Sequence, residues 1–103
     1  MVATFLTDRR PTFMIDYDVD LDVLRVVTKH FASTEGLGLS QGIELDFDAQ
    51  SNTPSGFTIV GFHRNDWDRH IDKLLKLVAD HTSIDPKLLE SAILDKTREN
   101  DGF

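Results

Sequence analysis

Six consecutive residues limit this chain most tightly: Ile43, Glu44, Leu45, Asp46, Phe47 and Asp48 alternate strictly between apolar and acidic. Successive side chains of a strand point to opposite faces. The six are therefore read as a strand with Ile43, Leu45 and Phe47 on one face and Glu44, Asp46 and Asp48 on the other. A slip of one residue would turn three carboxylates into the core, so the apolar face fixes the register. The apolar trio is expected to be buried and the acidic trio substantially exposed.

Three more segments read as strands. Residues 13–17 alternate, with Phe13, Ile15 and Tyr17 on one face. Residues 22–29 are a β-branched run that places Leu24, Val26 and Thr28 opposite Val23, Arg25, Val27 and Lys29. Residues 57–63 are apolar on both faces, as in a strand covered on both sides or lying at an interface. Ser33, Thr34, Glu35 and the glycines at 36, 38 and 42 mark a partly extended loop.

Past Asn65 the period changes from two to 3.6. Trp67, Ile71, Leu74, Leu75 and Val78 form one helical stripe, with Asn65 or Asp66 as its N-cap. Asp85 caps a second helix, Pro86 takes its first position, and Ile84 and Leu89 are placed as a hydrophobic staple. The expected architecture is one α+β domain over residues 1–103. Residues 13–63 form a four-stranded antiparallel meander in sequence order, and helices at 66–81 and 86–97 cover one of its faces. Residues 1–12 and 98–103 are expected to be loose.

Composition removes several functions. With 18 acidic and 11 basic residues and a net charge of −7, the chain offers no broad surface for nucleic acid or anionic membrane. No apolar run approaches the ~18–20 residues that span a bilayer. Without cysteine there is no disulfide, thiol nucleophile or cysteine-ligated metal. The first ten residues place charge after the apolar positions, the reverse of a secretory signal, so a cytoplasmic location is expected.

Two constellations could carry chemistry. Asp16, Asp18, Asp20 and Asp22 alternate as calcium-loop ligands do. The loop's glycine and closing glutamate are missing in either register, which favours a solvated turn. His63, Asp66 and His70 lie around a strand-to-helix corner, where a metal or acid/base site could be built. They match no recognised zinc spacing, and Asp66 is also wanted as a cap. No cofactor motif is present: Gly36-Leu37-Gly38 lacks the further glycine and helix of a dinucleotide site.

Three ordered elements resemble a family of small bacterial β-meander domains of unknown function. Its pattern is Y-D-x-x-x-D-x-L-x-I/V, then G-I/V-x-L-D-x-D, then I-V-G-I-E. Residues 17–26 match the first element, 42–48 the second and 59–63 the third, so the resemblance covers residues 13–63. Two features depart from the pattern: a longer hairpin before the third element, and His63 where the family has glutamate. The resemblance implies a meander without known enzymatic activity. Some members are encoded beside small toxin-like proteins, which implies an antitoxin or interaction role for those members.

The leading expectation is a non-catalytic, acidic interaction protein that neutralises a small basic partner. The alternative is a small metal-dependent or acid/base enzyme using His63, Asp66 and His70. A homodimer is also expected. Strand 57–63 would lie at a sheet edge, and its second face, with Val60 and Phe62, would need cover from a second copy, Leu77 and Leu94 beside the helical stripes widening the contact.

Overall fold

A computed structural model of the chain describes residues 13–98. The expected loose ends, and the reading of the first ten residues, lie outside the described residues apart from Arg98, which closes a helix. Five strands form one antiparallel sheet: β1 (Met14–Asp18), β2 (Val23–Val27), β3 (Thr34–Gly38), β4 (Ile43–Asp48) and β5 (Pro54–Val60). Helices α1 (Ile71–Thr82) and α2 (Pro86–Arg98) follow. The α+β class is as expected, but the sheet differs from the four-stranded meander in two ways.

Strand order is β1-β2-β5-β4-β3. The last strand inserts between β2 and β4, with Leu24 opposite Ile59 on one side and Ile43 opposite Ile59 on the other. The simple meander therefore fails. A β1–β2 hairpin joins a β3–β4–β5 meander in a Greek-key arrangement. Residues 55–59 of β5 are buried on both faces, as an interior strand's are, and this outweighs the preference for pairing sequence neighbours. The second difference is β3, within the expected loop, which pairs with β4 as an exposed edge strand.

These corrections remove the ground on which self-association rested, because β5 is not at an edge. The strand also stops at Val60. Gly61 has φ +80 and turns the chain, so Phe62 enters the core, where it is fully buried. Phe62, expected on an uncovered strand face, is thus inside the core. Val60 is half exposed on the sheet face away from the helices, Leu77 is exposed on α1, and Leu94 packs partly against the core. They do not form one surface.

The core lies between the sheet and the helices. Tyr17, Leu24, Val26, Ile43, Phe57 and Ile59 from the sheet meet Ile71, Leu74, Val78, Leu89 and Ile93 from the helices. Helix α1 packs mainly across β5 and α2 across β1, so cover thins toward β4 and β3. Ile43 is accordingly buried, while Leu45 and Phe47 are only half-buried.

The first helix starts later than its periodicity suggests. Asp66 has φ +62, a 3-10 turn occupies Trp67–Arg69, and α1 begins at Ile71. The Trp67 indole N–H donates to the Gln41 carbonyl at 2.9 Å, which ties this corner to the start of β4. The second helix starts as read: the Leu88 N–H donates to the Asp85 carboxylate at 3.1 Å, and Ile84 and Leu89 are buried.

Candidate functional site

Neither sequence-read constellation assembles. His63 Nδ1 faces Asp68 at 3.4 Å, whereas His70 Nδ1 meets the backbone carbonyl of Asp66 at 3.0 Å. The two imidazoles thus have different partners. Among the described residues no three histidine, aspartate or glutamate side chains converge as a metal site requires.

The four aspartates have separate positions. Asp16 is exposed on β1 opposite Arg25 of β2. Asp18 accepts the Leu21 N–H at 3.0 Å and closes the hairpin turn, and Asp20 is exposed in that turn. Asp22 is a structural clamp. Its carbonyl accepts the N–H groups of Gly61 and Phe62 at 2.8 and 3.1 Å. Its carboxylate accepts the His63 and Arg64 N–H groups, both at 2.9 Å, and the Tyr17 hydroxyl at 2.7 Å. Tyr17, Asp22 and Gly61, all in the motif elements quoted above, meet at this clamp.

The geometry instead draws attention to the sheet face opposite the helices. Arg25, Thr58 and Glu44 stand side by side on β2, β5 and β4, and Asp46 follows Glu44 on the same face. The β2–β3 link, residues 28–33, brings Lys29, His30 and Phe31 to the rim. Together with Val27, Thr34 and Ser55 these residues line a cavity of about 350 Å³.

Glu44 and Asp46 are two residues apart on one strand, with Cα atoms roughly 6.6 Å apart. Gly36 of β3 pairs with Asp46, and a Cβ at position 36 would collide with the Glu44 carboxyl group. The glycine therefore lets Glu44 lie down across the edge strand. The Thr58 hydroxyl donates to Asp46 Oδ2 at 3.1 Å. On the opposite side of the sheet His81 Nε2 lies 2.9 Å from the Asp46 carbonyl oxygen, and its ring stands edge-on to Phe47.

Asp46 holds its proton unusually well. Burial raises its pKa most, the hydrogen bond and negative charge of Glu44 raise it further, and Thr58 and Arg25 pull the other way; the result is about 6. Asp46 is therefore half-buried rather than freely exposed, as the alternating pattern had implied. Asp48 is spent differently: Ser51 hydrogen-bonds its carboxylate and holds it below the usual range.

A raised carboxyl pKa costs stability once the group ionises. The folded value of about 6 exceeds the ordinary 3.8, so the native state retains a proton the unfolded chain gives up. Stability should fall as pH rises from about 4 to 7. Asp46→Asn should remove that slope and stabilise the domain by about 1–2 kcal/mol at pH 7.5, after discounting for solvent screening, with little effect at pH 4. Urea titrations at the two pH values measure both.

The sequence reading placed Glu44 and Asp46 on a polar strand face but did not single them out. The sequence signal is Gly36, which local pattern reads as a loop marker and as part of a dinucleotide-like triplet. No protein-family model matches the chain, and no curated protein or solved structure matches it. Function is therefore read from this geometry. Among the described residues no helix is long and apolar enough to cross a membrane.

Proposed function

We propose that this protein is a non-catalytic binding module whose uncovered sheet face holds a basic segment of another protein. One observation carries the reading: the helices cover a single face, and the other carries Glu44 and Asp46 at a cavity of side-chain size, with Asp16 farther along the same face beside Arg25. Five acidic positions on β1 and β4 (16, 18, 44, 46 and 48) outnumber the two cations beside them, Arg25 of β2 and Lys29 of the following link. Such a field attracts and orients a cationic partner. An acidic protein that neutralises a small basic one in the cytoplasm fits this arrangement and the role implied by the family resemblance. No observation favours the enzyme reading, because His63 and His70 have separate partners.

The test is titration with a capped octa-arginine peptide at pH 7.5, followed by amide NMR. Shifts should concentrate at positions 16, 25, 44, 46 and 58, and affinity should fall steeply with salt. The triple variant Asp16→Asn/Glu44→Gln/Asp46→Asn should bind about tenfold more weakly or worse. An unchanged affinity, or shifts confined to the helices, would reject the proposal.

A further inference from the structure

We infer that the partner's basic segment docks on the free edge of β3: held extended, with basic and apolar residues alternating, it adds to the sheet as a further strand. The inference deepens the binding reading above and rests on it. β3 is the outermost strand of the sheet, and every one of its residues is exposed. The hydrogen bonds at its two ends show which backbone groups are free. The Leu39 N–H donates to the Ile43 carbonyl at 2.7 Å, and the Ala49 N–H donates to the Ser33 carbonyl at 3.0 Å. Bonding alternates along an antiparallel pair, so residues 33, 35, 37 and 39 bond to β4. Thr34, Gly36 and Gly38 therefore turn their N–H and C=O groups outward.

Such a row is a template for another strand, and natural edges are usually blunted by lysine, proline or a bulge. β3 has neither lysine nor proline, and its pairing with β4 has no register shift. The other edge strand, β1, has α2 packed across it.

The two faces beside this edge differ. On the open face, positions 36 and 38 have no side chain, and Gly36 leaves the space in which the Glu44 carboxyl lies across β3. That carboxylate comes within about one strand spacing, ~4.8 Å, of the line an added strand would follow. On the helix side, Leu37 is exposed beside a groove of about 380 Å³ that Phe47 also lines. Side chains of an added strand alternate between these same two faces. Those on one side meet Glu44 and those on the other meet Leu37 and Phe47, so the matching segment alternates basic with apolar residues.

Charge selects the occupant. Residues 34–53 hold four carboxylates, Glu35, Glu44, Asp46 and Asp48, and no basic residue. With Lys29 and His30 of the preceding link added, the balance is still acidic. A second copy would bring another net charge of −7, and its own β3 has no basic side chain to set against Glu44. The edge thus fits a basic strand better than it fits itself.

The probe is an acetylated, amidated nonapeptide of alternating arginine and valine, titrated at pH 7.5. At saturation it should slow hydrogen exchange of the Gly36 and Gly38 amides by about tenfold or more. The Glu35 and Leu37 amides, already bonded to β4, should change much less. Two backbone-methylated versions, at the arginines or at the valines, keep every charge and side chain. Whichever N–H groups face β3, one version should bind about tenfold more weakly or worse, and the other should lose much less. Gly38→Pro removes one outward N–H. An edge strand accepts proline where its N–H faces solvent, and a Cβ at position 38 meets nothing within 4 Å. The variant should stay folded by Trp67 fluorescence and bind the peptide several-fold more weakly. Affinity that neither methylation changes, or Gly36 and Gly38 amides left unprotected, would overturn the added strand. So would a doubled mass in light scattering of the protein alone with those amides already protected, because the edge would then belong to a second copy. If octa-arginine binds the open face while the edge results fail, the broader reading survives. If neither peptide binds, both fall.

Discussion

Gly56→Ala is expected to unfold much of the population at ambient temperature. Gly56 has φ +147, which residues with a Cβ rarely adopt. A Cβ there would be driven into the Val26 carbonyl oxygen of the neighbouring strand. The collision is with backbone, not a flexible side-chain end, so relief requires β2 and β5 to part where Val27 pairs with Gly56. Backbone strain and overpacking together should cost more than about 3 kcal/mol. A domain of this size has roughly 5–15 kcal/mol in all, so the loss is a large fraction. Gly38→Ala is the control: a Cβ there meets nothing within 4 Å, and its effect should stay within about 0.5 kcal/mol. Urea unfolding followed by Trp67 fluorescence compares the two; equal midpoints would show that the β2–β5 contact does not constrain the sheet.

Asp22→Ala should have the second large effect, about 3–4 kcal/mol, from two sources. Asp22 has φ +58, a conformation aspartate and asparagine tolerate better than alanine. The change also removes the carboxylate that accepts the His63 and Arg64 N–H groups and the Tyr17 hydroxyl. Asp22→Asn keeps the backbone preference and one carbonyl acceptor, so it should cost distinctly less.

The pH dependence separates charge from geometry. Burial opposes ionisation of Asp22, but the donors from His63, Arg64 and Tyr17, with the nearby His63 charge, outweigh it and hold the carboxyl below 3.8. Its stabilising contribution is therefore present above about pH 4 and lost as pH falls through the lowered folded value. The wild-type advantage over Asp22→Asn should shrink at pH 3. An advantage that persists there would show that geometry alone makes the clamp.

Asp22 also shows how a sequence motif can mislead. Four aspartates at alternate positions suggest shared chemistry, yet Asp18 closes a turn, Asp22 clamps the start of the corner after β5, and Asp16 faces Arg25. The Asp22 partners His63 and Arg64 lie about forty residues away in the chain. No local pattern contains that distance. The histidine corner failed for a related reason: Asp66 adopts φ +62, so the chain passes through a 3-10 turn before α1 instead of presenting Asp66 and His70 on one helical face.

Local periodicity and end signals located four of the five strands and both helices, the face that Ile43 buries, and the start of α2 at Asp85 and Pro86. These follow from side-chain direction and backbone capping within a few residues. The tertiary structure alone decided that β5 lies between β2 and β4, that Thr34–Gly38 pairs as an edge strand, and that Phe62 turns inward after Gly61. It also brought Glu44 and Asp46 together with Arg25, Thr58 and the 28–33 link around one cavity. Strand neighbours are chosen by non-local hydrogen bonding and burial on both faces. The ionisation of a carboxyl depends on what those neighbours place beside it.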